Sequence, residues 1–192
     1  MSEATTAETT SSENDMGEDA GFDHPYNEAV PGAVTGIWAD SSDSSLVVAP
    51  ERLIDLLTHL RDEEEYDFLS SVTGVDYLNY GGKQRGDVDG RFEVVYHLYS
   101  TTKGGGAVSL RVRVPEDETI ASAVPVYPGA NLQEREIYDL YGVKFEGHPN
   151  LRRVLTWEGF NGHPMRKDWR EAYYEADQKP FLSRHPKGGY AW

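Results

Sequence analysis

The chain has 192 residues, enough for one domain with appended arms, and 18 basic against 33 acidic side chains give a formal charge of -15. So acidic a chain is a poor grip for a nucleic-acid backbone or an anionic lipid surface. Cysteine is absent, which excludes disulfides, thiolate zinc sites, Cys-ligated iron–sulfur clusters and a cysteine nucleophile.

The acidity is concentrated at the start. Residues 1–30 carry eight acids and no base, and the first base is Arg52. With almost nothing apolar to bury, residues 1–27 are expected to form a disordered acidic tail. The opening has neither the basic start and apolar run of a secretory signal nor the arginines of a transit peptide, which fits a bacterial cytoplasmic setting. No apolar stretch approaches the ~18–20 residues of a membrane span.

From residue 28 the pattern is that of a folded domain, expected over 28–154. Ile37-Trp38 and Leu46-Val47-Val48 flank a Ser/Asp-rich turn and predict a hairpin. Pro50 opens a helix whose apolar face is Leu53, Ile54, Leu56, Leu57 and Leu60, ending in the acidic run 62–65. Val72 to Leu78 reads as a strand, followed by a Gly-rich, charged loop to Gly90. The alternating runs 91–100 and 108–114, joined by Thr101 to Gly106, predict a long antiparallel hairpin with one wet face and one covered by helices. Glu116 to Val124, stopped by Pro125 and Pro128, reads as a second helix or helical turn. A third is expected from an N-cap at Asn131, with Glu134 completing a capping box and Gly142 as the stop. Its apolar positions are Leu132, Ile137, Leu140 and Tyr141.

Periodicity ends after Phe145, and residues 155–192 interleave eight aromatics with Gly, Pro and basic residues. This is expected to be an extended C-terminal arm that lies along neighbouring proteins; the competing reading is a tail folded back on its own domain. The fold class is therefore α+β: an antiparallel or mixed sheet with helices packed on one face, plus the arm.

Four of the six histidines precede proline, which places them in turns or extended segments. No zincin spacing, strand-to-helix phosphate loop or nucleophile elbow is present. The segment from Glu134 to Leu155 stands apart. On a helix Glu136 and Asp139 lie three residues apart, and Arg135 is placed to pair with Asp139. Arg152-Arg153 beyond the turn offers guanidinium forks for carboxylates. On spacing alone, a surface helix with ordinary ion pairs is the better reading.

Glu134-Arg135-Glu136, then Asp139-Leu140-Tyr141, His148, Arg152 and Val154, resembles the signature of the C-type subunit of respiratory complex I, the 30-kilodalton-type subunit of NADH-quinone oxidoreductase. Gly162-His163-Pro164-Met165-Arg166-Lys167-Asp168 is similar to the family's second marker, with Met for Leu, and Thr73-Gly74-Val75-Asp76 also resembles the family. Leu132 stands where family members commonly have Trp, and the acidic tail is an extension. The resemblance covers roughly residues 30–192.

It implies a cofactor-free component of the hydrophilic arm, peripheral on the cytoplasmic side of the cell membrane and packed against the D, B and I subunits. FMN and iron–sulfur clusters would reside in those and other partners, and NADH and quinone would meet only the assembled, proton- or cation-translocating complex. No catalytic, cofactor-binding or metal-binding residue is expected in this chain. Glu134, Arg135, Glu136, Asp139, His148, Arg152, Arg153, His163, Arg166, Lys167 and Asp168 would form a clasp facing the D-type neighbour. Two alternatives stand beside this one: the homologous component of a membrane-bound hydrogenase or ferredoxin-dependent dehydrogenase, and a free metal-dependent hydrolase using His148, His163 and Asp168.

Overall fold

Strand alternation builds the centre of the molecule. In the computed structural model, which describes residues 22–40, 43–78, 90–104, 106–157 and 159–170, the expected long hairpin is β4 (Phe92–Tyr99) against β5 (Val108–Val114). Val94 pairs with Val112 and Tyr96 with Leu110. β3 (Phe68–Asp76) runs antiparallel along the other edge of β4. β2 (Asp43–Val48) joins β5 in parallel, and β1 (Val34–Asp40) closes the expected first hairpin against β2. The result is a mixed five-stranded sheet in the order β1-β2-β5-β4-β3.

One face of this sheet carries the core. Val72, Phe92, Val94, Tyr96, Leu98, Leu110 and Val112 are buried with the leucines of α2 (Leu53–Asp62), which Pro50 opens through a single 3-10 turn. The expected apolar face of α2 is the buried one, with Ile54 at its margin. The other face is not the wet surface that alternation suggests. Glu93 is buried there between Arg111 (2.7 Å) and Arg113 (2.9 Å) and accepts the Tyr77 hydroxyl at 3.1 Å. The Arg113 guanidinium lies 3.8 Å over the Tyr77 ring, and Arg111 covers Trp38. Among the described residues, long amphipathic side chains lying flat shield this face, and no helix covers it.

Three boundaries differ from expectation. The segment 116–124 holds a strand, β6 (Thr119–Ala121), paired in parallel with β7 (Lys144–Glu146). A run bounded by prolines and carrying Thr119 and a buried Ile120 gains more from an extended pairing than from an isolated helical turn. The third helix, α3 (Ala130–Tyr141), has Gly129 at its N-cap and no side-chain cap. The turn 127–128 already satisfies the first N–H groups, with Ala130 N–H reaching Tyr127 O at 2.9 Å, so Glu134 turns inward instead of closing a box. Finally, part of the expected tail is docked. A helical turn, α1 (Tyr26–Ala29), begins inside it, and the Asn27 side chain exchanges two 2.8 Å hydrogen bonds with the Val34 backbone. Residues 1–21, the loop 79–89 and the arm from 171 onward lie outside the described residues.

Candidate functional site: a charged clasp beneath the C-terminal segment

α3 stops at Gly142, whose φ of 79° is the left-handed conformation that favours glycine. The turn leaves the last helical carbonyls without intrahelical donors, and the segment 163–166 supplies them. His163 Nδ1–H donates to the Asp139 carbonyl at 2.8 Å, Met165 N–H to Leu140 O at 3.1 Å, and Arg166 Nε–H to Tyr141 O at 2.6 Å. A Cβ on Gly142 would lie 2.6 Å from both Arg166 Nη2 and His163 Nε2. The Gly-His-Pro-Met-Arg-Lys-Asp run is thus the C-terminal cap of a helix that ends some twenty residues earlier. Burial pushes the His163 pKa down, helped by Arg166 and Arg153, against the carbonyl bond that favours its protonation.

Asp139 anchors the strap that leads there. Its side chain is fully buried and accepts the backbone N–H groups of Val154 (3.0 Å), Leu155 (2.8 Å) and Thr156 (2.8 Å), the Thr156 hydroxyl, and Arg153 Nη1 (3.0 Å). Burial opposes ionisation, but the Thr156 hydroxyl and the three successive N–H groups prevail and hold the carboxyl down at about 2. Arg153 continues to Gly162 O at 3.1 Å. Arg135 does not pair with Asp139; its guanidinium donates to the carbonyls of Arg152 and Arg153 (3.1 and 3.5 Å), because Arg153 and the strap already occupy the carboxylate.

A second knot lies where β3 ends. Arg91 binds Asp76 through two nitrogens (3.2 and 3.0 Å), and reaches Glu116 at 2.9 Å and Asp168 at 2.6 Å. Lys167 N–H donates to Asp76 Oδ2 at 2.9 Å, and Arg166 meets Glu116 at 3.0 Å. Asp76, despite its burial, is held below the ordinary carboxylate range by Arg91 and by the Leu78 and Lys167 N–H groups. Asp168 is lowered chiefly by Arg91. The two motifs ending in Asp76 and Asp168 therefore meet in space, 91 residues apart at the closest bond. Arg91, Glu116 and Thr156 are not among the sequence candidates: each lies in a turn or bend between the regular elements, with no spacing to mark it.

Glu134 sits apart, fully buried under the sheet, accepting the Ser122 hydroxyl (2.6 Å) and Ala123 N–H (2.7 Å). Burial raises its pKa to about 7 against those two bonds. His148 Nε2 faces Asn131 O at 3.1 Å while its Nδ1 accepts Asn150 N–H at 3.0 Å. The side chains of Glu136 and Arg152 are exposed. His148, His163 and Asp168 thus answer to three different partners. Among the described residues no three His, Asp or Glu side chains are grouped to hold a metal ion.

Up to residue 170 the C-terminal segment lies on its own domain, where the sequence had suggested an arm leaving at 155. Buried partners for its backbone explain why: Asp139 and Asp76 each capture N–H groups from it. Several of its apolar side chains are nevertheless exposed. Leu155 is 62% exposed, Trp157 60% and Met165 53%, and Leu132, one of the apolar positions expected on α3, is 59% exposed.

A family model described as the respiratory-chain NADH dehydrogenase 30 Kd subunit matches residues 46–175. The chain is similar to the second of the C-type subunits of NADH-quinone oxidoreductase in Rhizobium meliloti (strain 1021), 38% identical over 157 residues that cover 81% of each protein. It is 43% identical over 143 residues to the C-type subunit of Roseiflexus sp. (strain RS-1), covering 73% of this chain and 77% of that one. Against the corresponding protein of Caulobacter sp. (strain K31) it is 44% identical over 140 residues, 72% of this chain but less than two thirds, 61%, of that relative. Among solved structures, the trypsin-resistant fragment (1-134) of Nqo5 superposes with a TM-score of 0.55 at 32% identity, covering 66% of this chain and 96% of the fragment. The chain therefore belongs to the 30 Kd, or C-type, family of the respiratory-chain NADH dehydrogenase, and is a subunit of NADH-quinone oxidoreductase.

Proposed function

We propose that the chain is a cofactor-free, non-catalytic scaffold of the hydrophilic arm of the proton-translocating complex, packed against the D, B and I subunits on the cytoplasmic side of the membrane. In this reading FMN and the iron–sulfur clusters belong to partner proteins of the complex, which carry electrons from NADH to quinone. No described helix is long and apolar enough to cross a membrane, so attachment runs through the rest of the complex.

The observation that carries this reading is the direction of the side chains. The buried charges Asp76, Glu93, Glu134 and Asp139 are each engaged by donors of this chain, and Asp76 and Asp139 fix the C-terminal segment as a rigid strap. Leu155, Trp157 and Met165 of that strap are exposed, as is Arg152. Polar groups directed inward with apolar groups directed outward suit a seat for another protein, since exposed aromatic and aliphatic anchors gain their energy when a partner covers them.

The test is composition. The full chain purified alone is expected to contain neither flavin nor iron, and a tagged copy in cells is expected to co-purify with the D, B and I subunits. Stoichiometric flavin or iron in the lone chain, or recovery of the tagged chain without those partners, would contradict the proposal.

A further inference from the structure

β3 is an edge strand: among the described residues its only sheet partner is β4. Val72 N–H points away from β4, because the side-chain oxygen of Gln133 on α3 accepts it. Pairing is regular from Val72 to Asp76, so by antiparallel alternation the N–H and C=O of Gly74 point to the same open edge. No described side chain or loop hydrogen-bonds either Gly74 group. Beside this edge runs a groove of roughly 380 Å³, lined by Glu136, Ile137, Leu140 and Tyr141 of α3 and by Met165. Gly74 keeps the wall close, since a Cβ there would meet the Tyr141 ring at 2.9 Å.

We infer that this groove receives an extended segment of a partner protein of the complex, which adds a strand to β3. Gln133 stands in for that strand: its amide oxygen occupies the place where an incoming backbone carbonyl would accept the Val72 N–H. An added strand would supply this bond and satisfy Gly74 as well, with an apolar side chain set against Leu140. Charge selects the occupant. Glu136 is the charged residue of the lining and calls for a Lys or Arg on the incoming segment, whereas a second copy of a chain with net charge -15 meets repulsion. The inference rests on the proposed role as a scaffold and names the kind of segment the scaffold holds.

Hydrogen exchange of the Val72 and Gly74 amides, compared between the full chain alone and the assembled complex, tests it. Exchange at Gly74 is expected to be at least about tenfold slower in the complex. Gln133→Ala is expected to speed Val72 exchange in the lone chain and to leave it unchanged in the complex, where the partner strand holds that amide. Equal exchange at Gly74 in both states would overturn the inference while leaving the scaffold role intact. So would protection already present in the lone monomer, which would mean the chain's own residues fill the groove, or protection that grows with concentration of the lone chain. Failure of the chain to enter the complex at all would instead overturn the scaffold reading on which the inference stands.

Discussion

Glu134 and Asp139 are carboxyls on one helix, both fully buried, yet their environments move them in opposite directions. Glu134 rises from an ordinary 4.5 to about 7, because burial outweighs its two donors. Its contribution to stability is therefore complete below pH 4.5 and is lost as the pH climbs to 7, on the order of 3 kcal/mol in all. Asp139 falls from 3.8 to about 2, so its contribution is complete above pH 3.8 and is lost as the pH drops toward 2. Glu134→Gln can keep both hydrogen bonds, accepting from Ala123 N–H and donating to Ser122 Oγ. It is expected to flatten the fall in melting temperature between pH 4.5 and 7. A variant with the wild-type slope would show that another group governs that limb. Asp139→Asn sets an amide NH2 against either Arg153 or the three backbone N–H groups, and is expected to cost about 3–5 kcal/mol at neutral pH in urea unfolding.

Elements show which features a sequence makes legible. The hairpin of β4 and β5, the leucine face of α2 and the stop at Gly142 rest on local rules of period or backbone conformation, and all three stand in the structure. The Asn131 capping box obeyed a local rule too, but the prolines before it set a turn that made the cap unnecessary. β6 could not be read locally, because its partner β7 lies beyond α3. The cap of α3 by residues 163–166 is likewise non-local and aperiodic, though the motif that forms it was visible as a string of residues. Gly142→Ala is expected to lose about 1–2 kcal/mol from the left-handed backbone alone, and more as Arg166 and His163 are displaced. Limited proteolysis at Lys167 or Arg170 should quicken in parallel with the drop in melting temperature; unchanged cleavage would mean the strap is held without the cap. At the other end, deleting residues 1–21 is expected to leave the melting temperature unchanged. Extending the deletion through Asn27 removes its clip to Val34 and should lower it by several degrees. Equal effects of the two deletions would contradict that boundary.

For the whole molecule, fold class and family were legible because alternation, helical stripes and two charged motifs agree with one another. The division of labour inside the motif was not. Of eleven residues expected to face a neighbour as one clasp, Glu134, Asp139, Arg153, His163 and Arg166 direct their hydrogen bonds into this chain, while Glu136 and Arg152 stay outside. Which way a charge points depends on donors such as the Thr156 backbone and Arg91, and those are set by tertiary folding. The outward set is what the scaffold reading stands on, and Arg152→Ala and Trp157→Ala address it at close range. Each removes a side chain that lies exposed in this chain, so the lone protein should melt within a few degrees of wild type. At an interface the same truncations are expected to cost about 2–5 kcal/mol. The deciding measurement is the amount of assembled complex on native gels, set beside NADH:quinone turnover per assembled complex. A scaffold role requires less complex with near-normal turnover in what assembles; full assembly with lost quinone reduction would contradict it and place these residues in the chemistry.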